Sequence, residues 1–521
     1  MNAVAAGRST PLLVGLDVGT TNVKALIVRP NGETVALATA EQEIDYPHPG
    51  WASHNPERIW ELCCQVLREA VSRTPDPRKI VGIAVASMGE AGVTLDQQGQ
   101  PTHDVIAWFD RRTVQQTDQF SAQIAPNELF AITGAELQPI YTAPKLMWIR
   151  EAQPDAWDRT RTFLNVSAYI AFRLGAGMAQ DHSLASRTGL FDLRTRDWND
   201  RLLAIAGLRR ELFAELTPGG TRIGSLSQFA AEATGLPAGI AIGMAGHDHL
   251  CGAFAAGVIR RGDILDSIGT AEGLMVGLDQ PVDDVTMGGQ GFTQGAHVVP
   301  DQYYGLGAVY TAGASYEWAR QNFGGGKSHE DVIAGARAVP VGSLGAMFLP
   351  HLRLAMFPRL DSRARGALIG LTTDITAAAL IRAVLEGIAF EARAGFGPLA
   401  RYARLPELTD IKVIGGTSRN QLLIEIKASV MNACHHVLDL DEASALGAAM
   451  LAGMAAGVFS SADDAISSVS YQSRVVVPNV DTVQLYDTLF SDVYQHLYEA
   501  LRPLNHRLFD LFIDSDETSA T

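Results

Sequence analysis

The chain has 521 residues, of which 47% are apolar and 19% are charged, and its formal net charge at pH 7 is −16. This length exceeds what one hydrophobic core usually supports, so we expect two large domains, and the composition excludes a largely disordered protein. The negative charge argues against nucleic acid or an anionic membrane as the main partner.

Cysteine usage and apolar stretches predict a cytoplasmic protein. The cysteines lack the spacing of a metal site, and two of them are adjacent and poorly placed to bridge each other, so we expect free thiols in a reducing compartment. They are Cys63, Cys64, Cys251 and Cys434. The first apolar run contains Asp17 and does not read as a signal peptide. Residues 445–459 form the longest apolar stretch, which is short and glycine-rich for a bilayer span.

Residues 12–28 (LLVGLDVGTTNVKALIV) contain two apolar runs on either side of a polar turn. Both runs are rich in Val, Ile and Leu, which predicts a strand, a tight turn and a second strand. Gly19 permits backbone angles that other residues resist, and Thr20, Thr21 and Asn22 offer hydroxyl, amide and backbone N–H groups to a phosphate chain. Asp17 at the strand end suits a hydrated magnesium ion. An ordinary hairpin with a polar tip is the alternative for this stretch alone.

Residues 80–87 (IVGIAVAS) form a nearly continuous apolar run, typical of a buried strand in a parallel sheet. The run ends in the polar loop 88–92 (MGEAG), at the strand end where open α/β sheets place their ligands. Glu90 in this loop is a candidate for binding a substrate hydroxyl.

Residues 240–253 (IAIGMAGHDHLCGA) place an aspartate between a short strand and a helix of small residues. Asp248 therefore lies close to the positive N-terminus of a helix and to a ligand cleft. A zinc site formed with His247 and His249 is the alternative, but alternate residues of a short turn point apart and no fourth ligand is evident.

Residues 263–276 (DILDSIGTAEGLMV) repeat the layout of the first hairpin about halfway along the chain. Asp266 precedes a Gly269–Thr270 turn that separates two apolar runs. Similarity at half-length predicts two related units that face each other, each with a phosphate-binding turn. Further along, residues 411–419 (IKVIGGTSR) predict a strand and a glycine-rich turn, and a helix follows from Asn420.

These stretches, taken together and in order, resemble the FGGY carbohydrate kinases, which share the fold of actin and the heat-shock-chaperone ATPases. The GHDH turn at 246–249 is similar to the family motif GGGDxxxGA, residues 415–418 (GGTS) to the adenosine motif GGG[AG]xS, and residues 442–449 (EASALGAA) to EAxALGAA. The resemblance covers residues 12–505. It implies two actin-like (ribonuclease H-like) α/β domains with a cleft between them, here predicted as residues 1–257 and 258–505, before an acidic tail at 506–521.

The resemblance also implies roles for individual residues. Asp248 would be the general base, and Asp17 would help to hold magnesium through water. The family pattern places the following residues around ATP: Gly19, Thr20, Thr21, Asn22, Lys24, Gly269, Thr270, Gly415, Gly416, Thr417 and Asn420. It places these residues around the sugar: Met88, Glu90, Trp108, Asp110, Arg111, His247 and Asp248. A surface ion pair explains Asp110 and Arg111 nearly as well.

The implied activity is transfer of the γ-phosphoryl group of MgATP to a hydroxyl group of a ketose (pentulose or hexulose) or a related polyol. The sugar loop reads MGEAG, whereas pentulose kinases tend to carry GQMHG and glycerol kinases NQRET, so the acceptor stays open and includes sugar acids. The alternative class is an actin-like ATPase that changes conformation without phosphorylating a small molecule. Residues 181–188 (DHSLASRT), similar to the family segment TDYSNASRT, favour the kinase. A homodimer is a further expectation, which no particular residue supports.

Overall fold

The computed structural model describes residues 10–512 as two α/β domains, each built on a central mixed sheet. Within these residues, the strands of the N-terminal sheet are, in spatial order, Arg222–Ser225, Ala241–Gly243, Ile80–Ser87, Leu12–Val18, Asn22–Val28 and Thr34–Glu41. The strands of the C-terminal sheet, given from the opposite edge, are Thr293–Ala296, Tyr303–Val309, Glu272–Leu278, Ile264–Ile268, Asp410–Ile414, Cys434–Leu438 and Ser473–Val476.

The two sheets share one pattern of strand directions. In each, the first hairpin strand has two successive antiparallel neighbours on one side, beginning with its hairpin partner. On its other side follow two parallel strands and an antiparallel edge strand. The C-terminal sheet carries one additional edge strand, Thr293–Ala296. The shared topology confirms the predicted duplication and the prediction of two actin-like domains.

Helices pack against both sheets. Pro56–Ser72 contacts the first N-terminal hairpin, and Asn55 caps it by accepting hydrogen bonds from the first backbone N–H groups. The other helices of eight or more residues in the described chain are Val114–Ser121, Pro126–Thr133, Thr142–Ala152, Val166–Leu174, Asp248–Ala255, Ala312–Phe323, His329–Ala338, Ala377–Tyr402, Gln421–Met431, Ala443–Ala455, Val480–Leu489 and Gln495–Phe512. Shorter helices include Pro154–Arg159, His182–Ala185, Asp200–Ala206, Gln228–Thr234 and Ala462–Ser468.

The two domains meet through a pair of helices with small side chains. Ala443–Ala455 packs across the N-terminal sheet, although in sequence it lies between two strands of the C-terminal sheet. A Cβ atom at Gly15 would lie 1.8 Å from a carbonyl oxygen of this helix, so only glycine allows the observed approach. The helix Asp248–Ala255 packs on Ala443–Ala455. A Cβ atom at Gly447 in the second of these helices would lie 1.9 Å from the backbone of the first. The interface thereby fixes the start of the helix that carries Asp248.

A buried ionic cluster lies beneath the second hairpin. The Lys427 ammonium lies 2.5 Å from Oδ2 of Asp266 and 2.5 Å from Oε1 of Glu272, and all three side chains are fully buried. Burial, followed by repulsion from Asp266, raises the pKa of Glu272 to about 8. One lysine and one extra proton therefore neutralise two carboxylates inside the C-terminal domain.

The aspartates of the two hairpins do not occupy equivalent positions in the structure, although the repeated sequence layout suggests that they do. Asp17 lies two residues before the turn glycine Gly19, whereas Asp266 lies three residues before Gly269. Because side chains alternate between the faces of a sheet, a shift of one residue turns Asp266 to the opposite face. Ser267 occupies the position that corresponds to Asp17, and Asp266 belongs to the buried cluster with Lys427.

The buried proton on Glu272 makes stability depend on pH. The pKa of this carboxyl is about 8 in the fold against an ordinary 4.5, so the folded chain retains a proton that the unfolded chain releases. We expect the unfolding free energy to fall as pH rises from about 4.5 to about 8, and Glu272→Gln to flatten that dependence. Thermal midpoints at both ends of the range test this, with the exposed Glu407→Gln as control. An unchanged slope in Glu272→Gln would contradict the assignment.

The C-terminal helix extends further than the sequence indicates. Gln495–Phe512 includes the beginning of the segment 506–521 predicted as an acidic tail, and His506 lies 2.7 Å from the Asp361 carboxylate. This contact anchors the helix. Residues 506–512 therefore belong to the C-terminal helix and not to a separate tail, which corrects the prediction for this part of the segment. Residues 513–521 lie outside the described residues. The domain limits at 257 and 505 stay a prediction. No helix among residues 10–512 has the length and apolarity that crossing a bilayer requires.

Candidate active site

The first hairpin closes in a tight turn that carries the predicted phosphate-binding residues. The Gly19 N–H donates to the Asn22 carbonyl oxygen at 3.0 Å. The Thr20 hydroxyl accepts a hydrogen bond from Nε1 of Trp108 at 3.0 Å, and Nδ2 of Asn22 donates to the Thr21 hydroxyl at 3.1 Å. The four tip residues stay at least partly accessible, as contact with a phosphate chain requires.

The second turn is tied to two other segments of the C-terminal domain. The Gly269 N–H donates to the Ala271 carbonyl oxygen at 2.8 Å. The Gly269 carbonyl oxygen accepts hydrogen bonds from the Gly313 N–H and the Thr417 hydroxyl, both at 3.2 Å. These bonds bring the second turn, the start of the helix Ala312–Phe323 and the glycine-rich turn into one place.

A cavity of about 550 Å³ lies beside this junction, within the size range of cofactor sites. Gly415 has a φ of +98°, and a Cβ atom there would lie 2.5 Å from the Ile268 carbonyl oxygen, so this position requires glycine. Oδ1 of Asn420 caps the next helix, while its buried Nδ2 has no hydrogen-bond partner among residues 10–512. The amide is therefore a free donor at the cavity, whose lining includes Thr270, Gly313, Glu317, Gln321, Gly416, Thr417 and Asn420.

A second cavity, of about 280 Å³, lies between the domains. The N-terminal domain contributes Thr20, Met88, Gly89, Glu90, Trp108, Ile140, Arg187, His247, Asp248, His249 and Leu250. The C-terminal domain contributes Met275, Tyr304 and Leu306. The structure thus brings together most of the residues that the sequence predicts around the sugar.

Asp248 is the first residue of its helix, and His247 caps that helix. Oδ1 of Asp248 accepts a hydrogen bond from the His249 N–H at 2.7 Å and lies 3.0 Å from Nδ1 of His247. Burial is the largest influence on the pKa of Asp248 and raises it, but the neighbouring His249 and His247 outweigh it, so the pKa lies below the ordinary value. The carboxylate is ionised at neutral pH and can accept a proton.

A second buried aspartate supports the turn that carries Asp248. Oδ1 of Asp181 accepts hydrogen bonds from the Ser183 hydroxyl and from the Leu184 N–H. The Ser183 hydroxyl oxygen in turn accepts a hydrogen bond from the His247 N–H at 3.0 Å. A Cβ atom at Gly246 would lie 2.3 Å from Oδ1 of Asp181, so the two segments are in close contact. Ser183 therefore fixes the backbone immediately before Asp248.

Removal of the Ser183 hydroxyl is expected to lower kcat about tenfold, because a buried N–H loses its acceptor at about 1–3 kcal/mol and the base loses its fixed position. KM for ATP should change little in Ser183→Ala, since the nucleotide residues lie elsewhere. Steady-state kinetics test this against Ser72→Ala, which removes an exposed hydroxyl at a helix end. Equal kcat in both variants would show that the hydroxyl does not position the turn.

Glu90 is held from three sides. Its φ of 56° is unusual for a residue other than glycine, and the buried Lys145 ammonium donates to its carbonyl oxygen at 2.9 Å. Nε of Arg187 donates to Oε1 of Glu90 at 2.5 Å, and the guanidinium lies 5.0 Å from the centre of the Tyr141 ring. Burial lowers the pKa of Lys145 to about 7, although Glu90 opposes the shift. The loop therefore presents a fixed carboxylate to the cavity.

Asp17 fits the predicted contact with magnesium. Its Oδ1 is buried and has no hydrogen-bond partner among residues 10–512. Burial, followed by repulsion from Asp248, raises the pKa of Asp17 to about 8. A hydrated cation would satisfy this oxygen and relieve the repulsion. Lys24, which pairs with Asp17 across the hairpin, lies 2.6 Å from Glu442 at the interface helix. Residues 10–512 contain no cluster of three His, Cys, Asp or Glu side chains placed to hold a metal alone.

The structure corrects the prediction for Asp110 and Arg111, neither of which lines the described cavities. The Asp110 carboxylate is fully buried, accepts a hydrogen bond from the Ala52 N–H and lies 2.7 Å from Arg112. The Arg112 guanidinium lies over the Trp51 ring at 4.3 Å. The Asp110 carboxylate is thus engaged in an internal ion pair, and the Arg111 side chain is exposed at the surface.

Several residues that line the two cavities were not predicted as site residues from the sequence. Arg187 lies within segment 181–188, where the sequence indicates a buried polar residue with a structural role and does not show that its guanidinium lines the cavity. Glu317 lies on the helix that borders the larger cavity, and it carries no motif. Tyr304 and Met275 come from adjacent C-terminal strands and reach the smaller cavity only through the packing of the two domains.

Known proteins share the sequence of both domains. Residues 12–255 match the FGGY family of carbohydrate kinases, N-terminal domain, and residues 265–456 match its C-terminal domain. The chain is 29% identical to a xylulose kinase of Bacillus subtilis, over 95% of this chain and 98% of that protein. It is 32% identical to a glycerol kinase of Gloeobacter violaceus, over 87% of this chain and 90% of that protein.

A solved structure shares the complete fold. The crystal structure of a xylulose kinase from Rhodospirillum rubrum superposes with a TM-score of 0.86 at 27% identity, covering 95% of this chain and all of that one. Sequence matches to both domains and this superposition agree with the duplicated sheets and the cavity between them. The chain therefore belongs to the FGGY family of carbohydrate kinases, phosphotransferases that use ATP and an alcohol group as acceptor.

Proposed function

We propose that the enzyme transfers the γ-phosphoryl group of MgATP to a hydroxyl group of a ketose (pentulose or hexulose) or a related polyol. The observation that carries the proposal is the place of Asp248, whose ionised carboxylate lines the cavity between the domains together with Thr20 of the first phosphate turn. The named relatives point the same way, because one is a xylulose kinase and the other a glycerol kinase.

ATP would span the cleft between the two turns. The cavity beside the glycine-rich turn would hold the adenosine, because Gly416 leaves open space there and the Asn420 amide supplies a free donor. The phosphates would lie between the tip Gly19–Asn22 and the turn Gly269–Thr270, whose backbone N–H and hydroxyl groups suit anionic oxygens.

The chemical step would use Asp248 as general base. Phosphoryl transfer has a loose transition state, so orienting the attacking hydroxyl matters as much as removing its proton. The contacts with His249 and His247 hold the pKa of Asp248 below its ordinary value, and Ser183 keeps the preceding backbone in place. Asp17 would hold hydrated magnesium, which when bound supplies positive charge to the phosphate oxygens.

Closure of the two domains would exclude water from the reacting groups. Met275 and Leu306 come from the C-terminal sheet and give the acceptor cavity an apolar side opposite the loop that carries Glu90. When these elements approach, competition from water as phosphoryl acceptor decreases.

The experiment that tests this function measures ADP release from MgATP with a panel of neutral acceptors. The panel contains ketopentoses, ketohexoses, tetritols to hexitols and glycerol. We expect release to depend on a narrow group of these compounds. ATP turnover that no panel member changes would instead support the conformational ATPase.

A further inference from the structure

A third cavity, of about 550 Å³, lies in the C-terminal domain, and within residues 10–512 it shares no lining residue with the two cavities of the cleft. Its lining includes the side chains of Arg359, Arg393 and Arg401, and we call it the arginine cavity. The described part of the chain adds a single carboxylate to this lining, that of Glu407. The whole chain has a net charge of −16, so an excess of positive charge in one cavity stands apart and indicates an anionic ligand.

Two of the three arginines are anchored through one nitrogen each. Nη1 of Arg359 donates to Oε1 of Glu391 at 2.7 Å, and Nη1 of Arg393 donates to Oδ1 of Asp487 at 2.6 Å and to a backbone carbonyl oxygen at 2.7 Å. In the part of the chain that the structure describes, Nε and Nη2 of both guanidiniums have no hydrogen-bond partner. A guanidinium carries five N–H groups, so both side chains are fixed in orientation and still have donors for a ligand.

Arg401 adds a guanidinium that no other described residue engages in a hydrogen bond or an ion pair. Arg393, Gly397 and Arg401 follow one another at intervals of four positions in the helix Ala377–Tyr402, so they lie along one side of it. A Cβ atom at Gly397 would have no other heavy atom within 4 Å. The missing side chain therefore leaves open space between the two arginines.

The arginine cavity also offers acceptors for hydroxyl groups. Pro398 lies inside the helix and supplies no N–H to the carbonyl oxygen of Ala394, and both residues line the cavity. The Glu407 side chain in the same lining is exposed and accepts hydrogen bonds through its carboxylate. Acceptors beside three guanidiniums suit a ligand that carries both a phosphate group and hydroxyl groups.

We propose that the arginine cavity binds a sugar phosphate, that is, a phosphate monoester of a polyhydroxy compound. The guanidiniums hold the phosphate group, because their planar N–H groups match phosphate oxygens in geometry and charge. Glu407 and the Ala394 carbonyl oxygen accept hydrogen bonds from the hydroxyl groups. The volume of about 550 Å³ lies in the range of small-molecule sites and leaves room for the sugar beside its phosphate. Since the site lies outside the cleft, it binds its ligand while ATP is bound.

Calorimetric titration of the full chain tests the site with glucose 6-phosphate and ribose 5-phosphate, compared with glucose, ribose and inorganic phosphate. The titrations contain magnesium and an excess of a non-hydrolysable ATP analogue, whose γ-phosphate occupies the place that a product phosphate would take in the cleft. We expect the better sugar phosphate to bind at least about tenfold more tightly than inorganic phosphate or the free sugar, because its two parts engage different groups of the lining.

Two variants locate the binding. Arg401→Gln removes the unengaged guanidinium and is expected to weaken the binding of the sugar phosphate by about tenfold or more. Gly397→Leu fills the space between the arginines without changing any charge and is expected to abolish binding, while leucine favours the helix more than glycine does. Arg209→Gln changes an exposed arginine of the N-terminal domain that has no ion pair in the described chain, and as matched control it should leave Kd unchanged.

The proposal is overturned when neither sugar phosphate binds, or when both bind no better than inorganic phosphate. Equal affinity in wild type, Arg401→Gln and Gly397→Leu would likewise overturn it. Binding that the ATP analogue abolishes would place the ligand in the cleft, with the same consequence. None of these titrations requires turnover, so a failure of the proposed kinase activity is seen separately as missing ADP release and leaves the result for the arginine cavity standing.

Discussion

Asp248→Asn is expected to lower kcat by about 10²–10⁴-fold, the usual contribution of a general base, while the affinity for ATP stays largely intact. The substitution keeps an oxygen that can accept the His249 N–H, so the cap and the helix start are preserved. What is lost is the negative charge that takes the proton of the acceptor hydroxyl. The ATP residues belong to other segments, so the effect should fall on turnover.

The control for this prediction is Asp374→Asn, an equivalent change at an exposed position that lines none of the described cavities. Steady-state kinetics and calorimetric titration with ATP measure turnover and affinity separately. Near-full activity of Asp248→Asn would show that Asp248 is not the general base. A loss of ATP affinity as large as the loss of turnover would show that Asp248 acts on the nucleotide instead.

Lys427→Met is expected to produce the largest loss of stability, about 3–5 kcal/mol in the free energy of unfolding. The lysine is fully buried and is the cation that two buried carboxylates, Asp266 and Glu272, share. Methionine fills a similar volume but leaves Asp266 without its counter-ion and the protonated Glu272 without its contact to Lys427. The cluster lies below the second phosphate turn, so weaker ATP binding should accompany the lower stability.

Thermal and urea unfolding of the full chain measure this effect, with Lys327→Met at an exposed position as control. The double variant Lys427→Met/Glu272→Gln places an amide, which is neutral at every pH and can donate a hydrogen bond, beside Asp266 and should recover part of the loss. A Lys427→Met protein that unfolds like wild type would mean that the cluster does not need its cation.

Local sequence signals predicted the two hairpins because glycine, hydroxyl residues and flanking β-branched runs act over a few positions. Asp248 was predictable for the same reason, since a polar residue between a short apolar run and small residues indicates a strand end and a helix start. The one-residue offset between Asp17 and Asp266 was also visible in the sequence, but its consequence depends on the sheet that buries Asp266.

Contacts between distant segments were beyond the sequence. The pair Glu90–Arg187 joins two loops almost 100 positions apart and determines the charge of the acceptor cavity. Asp110 does not line the acceptor cavity, because its carboxylate pairs with Arg112, two positions away, whose guanidinium lies against two tryptophan rings. Only the packed structure shows that the Glu90 carboxylate lines a ligand cavity, whereas the Asp110 carboxylate pairs with Arg112 inside the protein.

The most direct test of the account is phosphorus NMR of a reaction that contains the enzyme, MgATP and the acceptor that gives the fastest ADP release. We expect a new phosphate monoester resonance, formed in equal amount with ADP, and its loss in Asp248→Asn. ADP accompanied by inorganic phosphate alone, at the same rate with and without the acceptor, would contradict it.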